Sequence, residues 1–232
     1  MDSARPCPQK ICLSIAEPGL AAALAAARRC QGSADLVEIR LDLLDRPAVQ
    51  PFVEGVEVPL LFTNRPSWEG GSWHGSEEAR IALLVEAIQS GAAYVDIELL
   101  APVESRRQIL AAAASAETKV IVSWHNFSDT PDDAVLADIF RRQCQSGADI
   151  GKMVTMARDH TDCLRVLGLQ LLAAKERFPL AAFCMGQAGK ISRAATLELG
   201  GVLTYAAADR QSCTAPGQLT LAELHTIQEL VR

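Results

Sequence analysis

No apolar run in this chain approaches the ~20 residues that a membrane-crossing helix needs, so no such helix is expected. The cysteines form no C-x-x-C pair, and the four histidines make no H-E-x-x-H motif, so a zinc site is not expected either. No G-x-G-x-x-G follows the first strand-like segment, and "GQAGKIS" (186–192) lacks the spacing of a phosphate-binding loop; it reads as a loop entering a helix. Positive charge is scarce. The formal net charge of −6 argues against broad nucleic-acid binding, although local arginines can still draw an anion into a cleft. The opening "MDSARPCPQK" has no apolar segment, so a signal peptide is not expected. The seven cysteines are scattered and odd in number, which fits small buried hydrophobes in a reducing compartment. A soluble cytoplasmic protein is the expectation.

What the sequence does have is 232 residues, 49% of them hydrophobic, enough to bury a sizeable core. Short apolar or alternating runs predict strands at 10–16, 36–43, 58–65, 94–99, 119–127, 150–157, 180–186 and 201–207. Helix-like segments lie between and after them, at 18–30, 47–55, 77–90, 102–116, 131–145, 160–177, 189–199 and 218–231. Ser76 before "EEARIALLVEAI" is a start signal, and Thr130 stands before a proline and two acids. Eight strand–helix units in this length predict a parallel sheet closed into a single (β/α)8 TIM barrel spanning 1–232. An open doubly wound sheet is the alternative.

One face of the strands is polar. In "LVEIRLDL", alternation puts Glu38, Arg40 and Asp42 together; in "YVDIEL" it puts Asp96 with Glu98. Ser123 and His125 share a face, as do Thr63 and Arg65. Parallel strands covered outside by helices must turn that face inward, where apolar side chains usually fill the barrel, and charges so placed need partners or a purpose. The stretch "ADIGKMVTMA" (148–157) sharpens the point. Parity puts Lys152 with Ile150, Val154 and Met156, hence inside. Among apolar groups and cations such as Arg65, an amine is driven toward its neutral, nucleophilic form, suited to imine formation. Alternatively, Lys152 pairs with Glu38, Asp96 or Glu98.

The blocks "VEIRLD", "TNRPSWEGG", "SWHNF", "GKMV", "MGQAGKISR" and "TAPGQ" occur in an order and spacing that resemble type I 3-dehydroquinate dehydratases, the Schiff-base class of that shikimate-pathway enzyme. The match runs from Lys10 to Gln218. The resemblance implies a TIM-barrel lyase, usually a homodimer, that needs neither metal nor organic cofactor and turns 3-dehydroquinate into 3-dehydroshikimate. It further implies Lys152 as the imine-forming lysine, His125 as the proton-transfer residue and Glu69 as the carboxylate orienting it. Arg193 matches the arginine holding the substrate carboxylate. Ser14, Glu38, Arg40, Arg65, Thr214 and Gln218 match positions lining the substrate's carboxylate and hydroxyl groups.

Departures are modest. Asn126 replaces the aspartate of many members and by parity faces away from the site; Thr214 replaces a common serine. The segment "SCTAPGQ" is expected to close over the substrate, and Met185 to pack on its ring. Fold and lysine alone do not fix a reaction, so an aldolase-like Schiff-base lyase and an inactive barrel acting as a binding module are the other readings.

Overall fold

The computed structural model describes residues 9–30 and 32–231; Cys7 lies outside them. The described residues form nine strands: β1 Lys10–Ile15, β2 Leu36–Arg40, β3 Leu60–Thr63, β4 Tyr94–Glu98, β5 Lys119–Asn126, β6 Ile150–Met156, β7 Leu180–Met185, β8 Leu203–Ala207 and β9 Leu219–Thr220. Eight helices alternate with them: α1 Leu20–Arg29, α2 Gln50–Gly55, α3 Glu77–Gln89, α4 Val103–Ala114, α5 Asp133–Cys144, α6 His160–Glu176, α7 Gly186–Glu198 and α8 Leu221–Val231. Every strand pair is parallel, in the order β7-β6-β5-β4-β3-β2-β1-β8-β9. The sheet curls into the expected (β/α)8 barrel. At the base of the β7–β8 seam the Val202 N–H donates to the Leu180 carbonyl at 3.0 Å.

Helix ends follow side-chain chemistry. The Ser76 hydroxyl accepts from the Ala79 N–H, capping α3 as its position predicts. Thr130 does not cap α5. Asp132 does, accepting from the Val135 N–H, while the Thr130 hydroxyl turns inward to Thr155 and the Met156 carbonyl. The segment 186–192 is also not a loop: α7 starts directly after β7, with Gly186 at φ +83° making the corner. The two-residue β9 has no periodic signature and was not expected; it lies beside β8 through the Ala206–Leu219 register.

Register explains the polar face. An apolar layer floors the barrel: Cys12, Leu36, Leu61, Tyr94, Ile121, Ile150, Ala181 and Leu203 belong to one buried cluster. One step up, Ser14 pairs in register with Glu38, Thr63 with Asp96 and Ser123 with Lys152. The outward parity packs on helices instead, as Met153 and Val122 do against Phe140 and Val166. Thus the barrel is filled at its base and polar toward the C-terminal ends of its strands, the end where TIM barrels place their sites.

Candidate active site

The cavity at that end is lined by Glu38, Arg40, Arg65, Glu69, His125, Lys152, Arg193, Thr214 and Gln218, with Thr63, Phe183, Met185 and Tyr205 among the rest of its wall. All the sequence-predicted site residues therefore converge here except Ser14. That residue is buried one layer behind, where its hydroxyl donates to Glu38. The other Glu38 oxygen accepts from the Thr63 hydroxyl at 2.7 Å, so the carboxylate is fixed from both sides.

Lys152 is only 5% exposed and points inward, as parity required. Its Nζ lies 3.2 Å from Asp96 Oδ2 and 4.0 Å from the centre of the Tyr205 ring. The picture of an amine surrounded only by apolar groups and cations is thereby corrected: β4 supplies a carboxylate, and the pairing alternative is realised with Asp96. Asp96 has three partners, since Arg65 Nη2 reaches Oδ1 at 2.8 Å and the Ser123 hydroxyl donates to Oδ1 at 2.6 Å. Burial pushes the Asp96 carboxyl up, but Arg65 and Lys152 outweigh it and hold it below the usual range.

Arg65 is the hub. It follows β3 rather than belonging to it, and its backbone N–H is held by Asp42 Oδ1 at 3.1 Å. Asp42 also lies beyond its strand, in a short 3-10 turn, yet grips Arg40 through two bonds of 2.9 and 2.7 Å. The Arg65 guanidinium meets Glu98 at 2.5 Å and stands 4.0 Å from Glu69.

Glu69, in the turn Ser67–Glu69, brings Oε1 to 2.8 Å from His125 Nδ1. Gly70 at φ +76° closes that turn, and a Cβ there would lie 2.3 Å from Phe127, whose ring stacks on His125. Burial lifts Glu69 to about 8, Glu98 and Asp96 adding to it against the pull of Arg65. Burial also drives His125 well below its usual range, helped by Arg65, Lys152, Arg40 and Arg193. The two groups therefore titrate as one pair around a shared proton. When Glu69 is ionised and accepts from Nδ1–H, the other ring nitrogen is free to act as a base.

Arg193, from α7, is 1% exposed and has no carboxylate partner among the described residues. Its Nη2 donates to the Pro216 carbonyl at 3.3 Å, its face covers Phe183, and its Nε is buried without a partner. Burial pulls it down to about 10. An uncompensated buried guanidinium at a cavity wall is an anion site. Over it folds the 214–218 segment, braced where Gln218 Oε1 accepts from the Thr214 N–H and hydroxyl at 2.7 and 3.1 Å.

A family profile described as type I 3-dehydroquinase matches residues 11–232. The chain belongs to that family. It is 46% identical to a 3-dehydroquinate dehydratase of Desulfotalea psychrophila over 94% of this chain and 96% of that protein. It is 35% identical to one from Methanococcus maripaludis strain C5, covering 95% and 99%. Among solved structures it resembles the type I 3-dehydroquinate dehydratase of Clostridium difficile carrying covalently modified comenic acid, with a TM-score of 0.88, 27% identity, and coverage of 97% and 92%.

Residues of this charged network that the sequence did not single out as site residues are Asp96, Glu98, Thr63, Ser123 and Arg80. The first four carry a signal, the polar parity of their strands. Arg80 carries none, because on α3 it reads as one more position of an amphipathic helix.

Proposed function

We infer that this chain is a 3-dehydroquinate dehydratase, a carbon–oxygen lyase of the shikimate pathway that works through an imine on Lys152. The observation that carries the reading is the convergence on one cavity of a buried amine, an imidazole–carboxylate pair and a buried guanidinium lacking a counter-charge. Membership of the type I 3-dehydroquinase family supports it.

The substrate's carboxylate meets Arg193, and Glu38, Arg40, Arg65, Thr214 and Gln218 face its hydroxyl and carboxylate oxygens, with Ser14 steadying Glu38. Lys152, having given up one proton, attacks the ketone carbon; the carbonyl oxygen departs as water and a protonated imine remains. That cation is a stronger electron sink than the ketone, so His125 can take the neighbouring carbon's proton and leave an enamine. The enamine expels the β-hydroxyl, which leaves as water with the proton His125 returns. A second water hydrolyses the imine, releasing 3-dehydroshikimate and the free amine. Glu69 fixes the histidine tautomer and supports the imidazolium. No step calls on a metal or organic cofactor. Assaying 3-dehydroquinate for the ultraviolet-absorbing conjugated product tests the reading; no product under saturating substrate would sink it.

The whole chain, 1–232, is read as one catalytic domain acting on a small molecule. A homodimer is part of the proposal, supported by Val135 on α5 and Leu164, Leu171 and Leu172 on α6, which leave apolar surface exposed. The described cysteines are all free, in keeping with a reducing cytoplasm. No described helix is long and apolar enough to cross a membrane.

A further inference from the structure

One fully buried arginine lies outside the cavity wall and outside every role given above. Arg80 is 0% exposed and rises from α3, on the outer layer of the barrel. Its Nε and Nη2 bond Glu77 at 2.8 and 2.9 Å, and its Nη1 donates to the Asn64 carbonyl at 3.0 Å and to Glu98 Oε2 at 2.7 Å. Glu98, also 0% exposed, gives its other oxygen to Arg65. Arg65 in turn touches Asp96, which holds Lys152, and faces Glu69, which holds His125. A continuous chain of ion pairs thus runs from the outer helix to both groups that the mechanism uses.

We propose that Arg80 is a positioning residue for the reaction: by holding one oxygen of Glu98 from outside the barrel, it keeps that carboxylate charged and so divides Arg65 between Glu98, Asp96 and Glu69. The inference rests on the functional reading above. Its physical basis is the imbalance that removal would create. Glu98 is wholly desolvated, and burial holds its carboxyl above the ordinary range even with Arg65 and Arg80 both in contact. Without Arg80 one of the two cations that hold its charge is gone, and the carboxyl is driven further toward its protonated form. Arg65 then loses its partner on that side and bears harder on Glu69, which also loses the repulsion of the Glu98 charge.

The sign follows from the charges around the Glu69–His125 pair. Arg65 follows β3, Asp96 and Glu98 come from β4, Lys152 from β6, Glu38 and Arg40 from β2 and Arg193 from α7. Removing one negative charge from this set favours ionised Glu69. The rise of kcat/KM with pH that reports the pair therefore moves to lower pH in Arg80→Met, by about one pH unit. Glu98→Gln mimics the protonated carboxyl and moves it the same way. The double variant moves it no further than Glu98→Gln alone, since both act through one group. Arg80→Lys keeps the cation and leaves the profile in place.

The experiment is the pH profile of kcat/KM for 3-dehydroquinate in these variants of the full chain, with Tm measured alongside. A profile that stays put or moves to higher pH in Arg80→Met overturns the inference. So does Arg80→Lys moving as far as Arg80→Met, which would mark a packing effect alone. Arg80→Gln carries the same expectation if the methionine variant does not fold. Borohydride trapping in the wild type separates the two levels. Trapping at Lys152 with an unmoved profile defeats the role of Arg80 only, whereas no trapping defeats the functional reading beneath it.

Discussion

Single side chains in this site trade stability for chemistry, and each trade has a measurable sign. Lys152→Ala removes the only buried amine facing the cavity among the described residues and is expected to lower kcat by at least about ten-thousand-fold in steady-state assays. Arg193 is the reverse case for folding. Its charge is buried with no carboxylate opposite among the described residues, so Arg193→Met is expected to raise Tm by a few degrees while raising KM roughly a hundredfold. Glu69 lies between. Its carboxyl is raised to about 8, so the folded chain holds that proton more tightly than the unfolded chain does. The resulting stabilisation is complete below the unfolded carboxyl's range and is lost as pH climbs through about 8. Glu69→Gln should therefore match the wild type in Tm at pH 5 and exceed it at pH 9, with activity lost at both. At this scale the sequence was legible where alternation fixes direction. Period two alone turned Glu38, Asp96, Glu98, Ser123, His125 and Lys152 inward. It could not say which charge meets which, and the Asp96–Lys152 pair is a matter of tertiary distance.

Among elements, the segment joining β8 to α8 does the most for its length. The Pro216 carbonyl accepts from the Gly186 N–H at 3.1 Å and from Arg193, tying the segment to the corner between β7 and α7. Gly217, at φ +73°, permits this approach: a Cβ there would lie 2.2 Å from the Gly186 carbonyl oxygen. Gly217→Ala is expected to unseat the segment, raising KM about tenfold or more with a smaller change in kcat. Gln218→Ala, which removes the brace on Thr214, should likewise weaken binding more than it slows chemistry; an unchanged KM with a large kcat loss would contradict this. The elements show where sequence reasoning ran short. Strands and helices were legible to within a few residues, because β/α alternation is a strong periodic signal. A two-residue strand such as β9 has no period to read. Thr130 looked like a cap by position, yet its hydroxyl found buried partners in Thr155 and Met156, and Asp132 served instead. Asp42 and Arg65 sit just past their strands, where parity no longer applies; Arg65 still reaches the cavity, and Asp42 holds Arg40 and the Arg65 N–H behind it.

The whole molecule is a barrel with an apolar floor and a charged upper half, and that division locates the chemistry. Charges in the upper half are shielded from water by the walls, so they act on one another strongly and small displacements matter. Arg80 shows that the network extends through the wall to a helix, which no reading of strand faces could reveal. Leu164, Leu171 and Leu172 leave apolar side chains exposed along α6, and sedimentation is expected to report a dimer; Leu164→Glu with Leu171→Glu should shift it to monomer without abolishing activity. All of this depends on covalent capture of the substrate by one amine. The most direct measurement is mass spectrometry of the intact chain and its peptides after borohydride reduction with 3-dehydroquinate present. The account predicts a single substrate-derived mass increment, located on the peptide containing Lys152 and absent from Lys152→Ala. An unmodified Lys152 in a sample that is turning over substrate would contradict it.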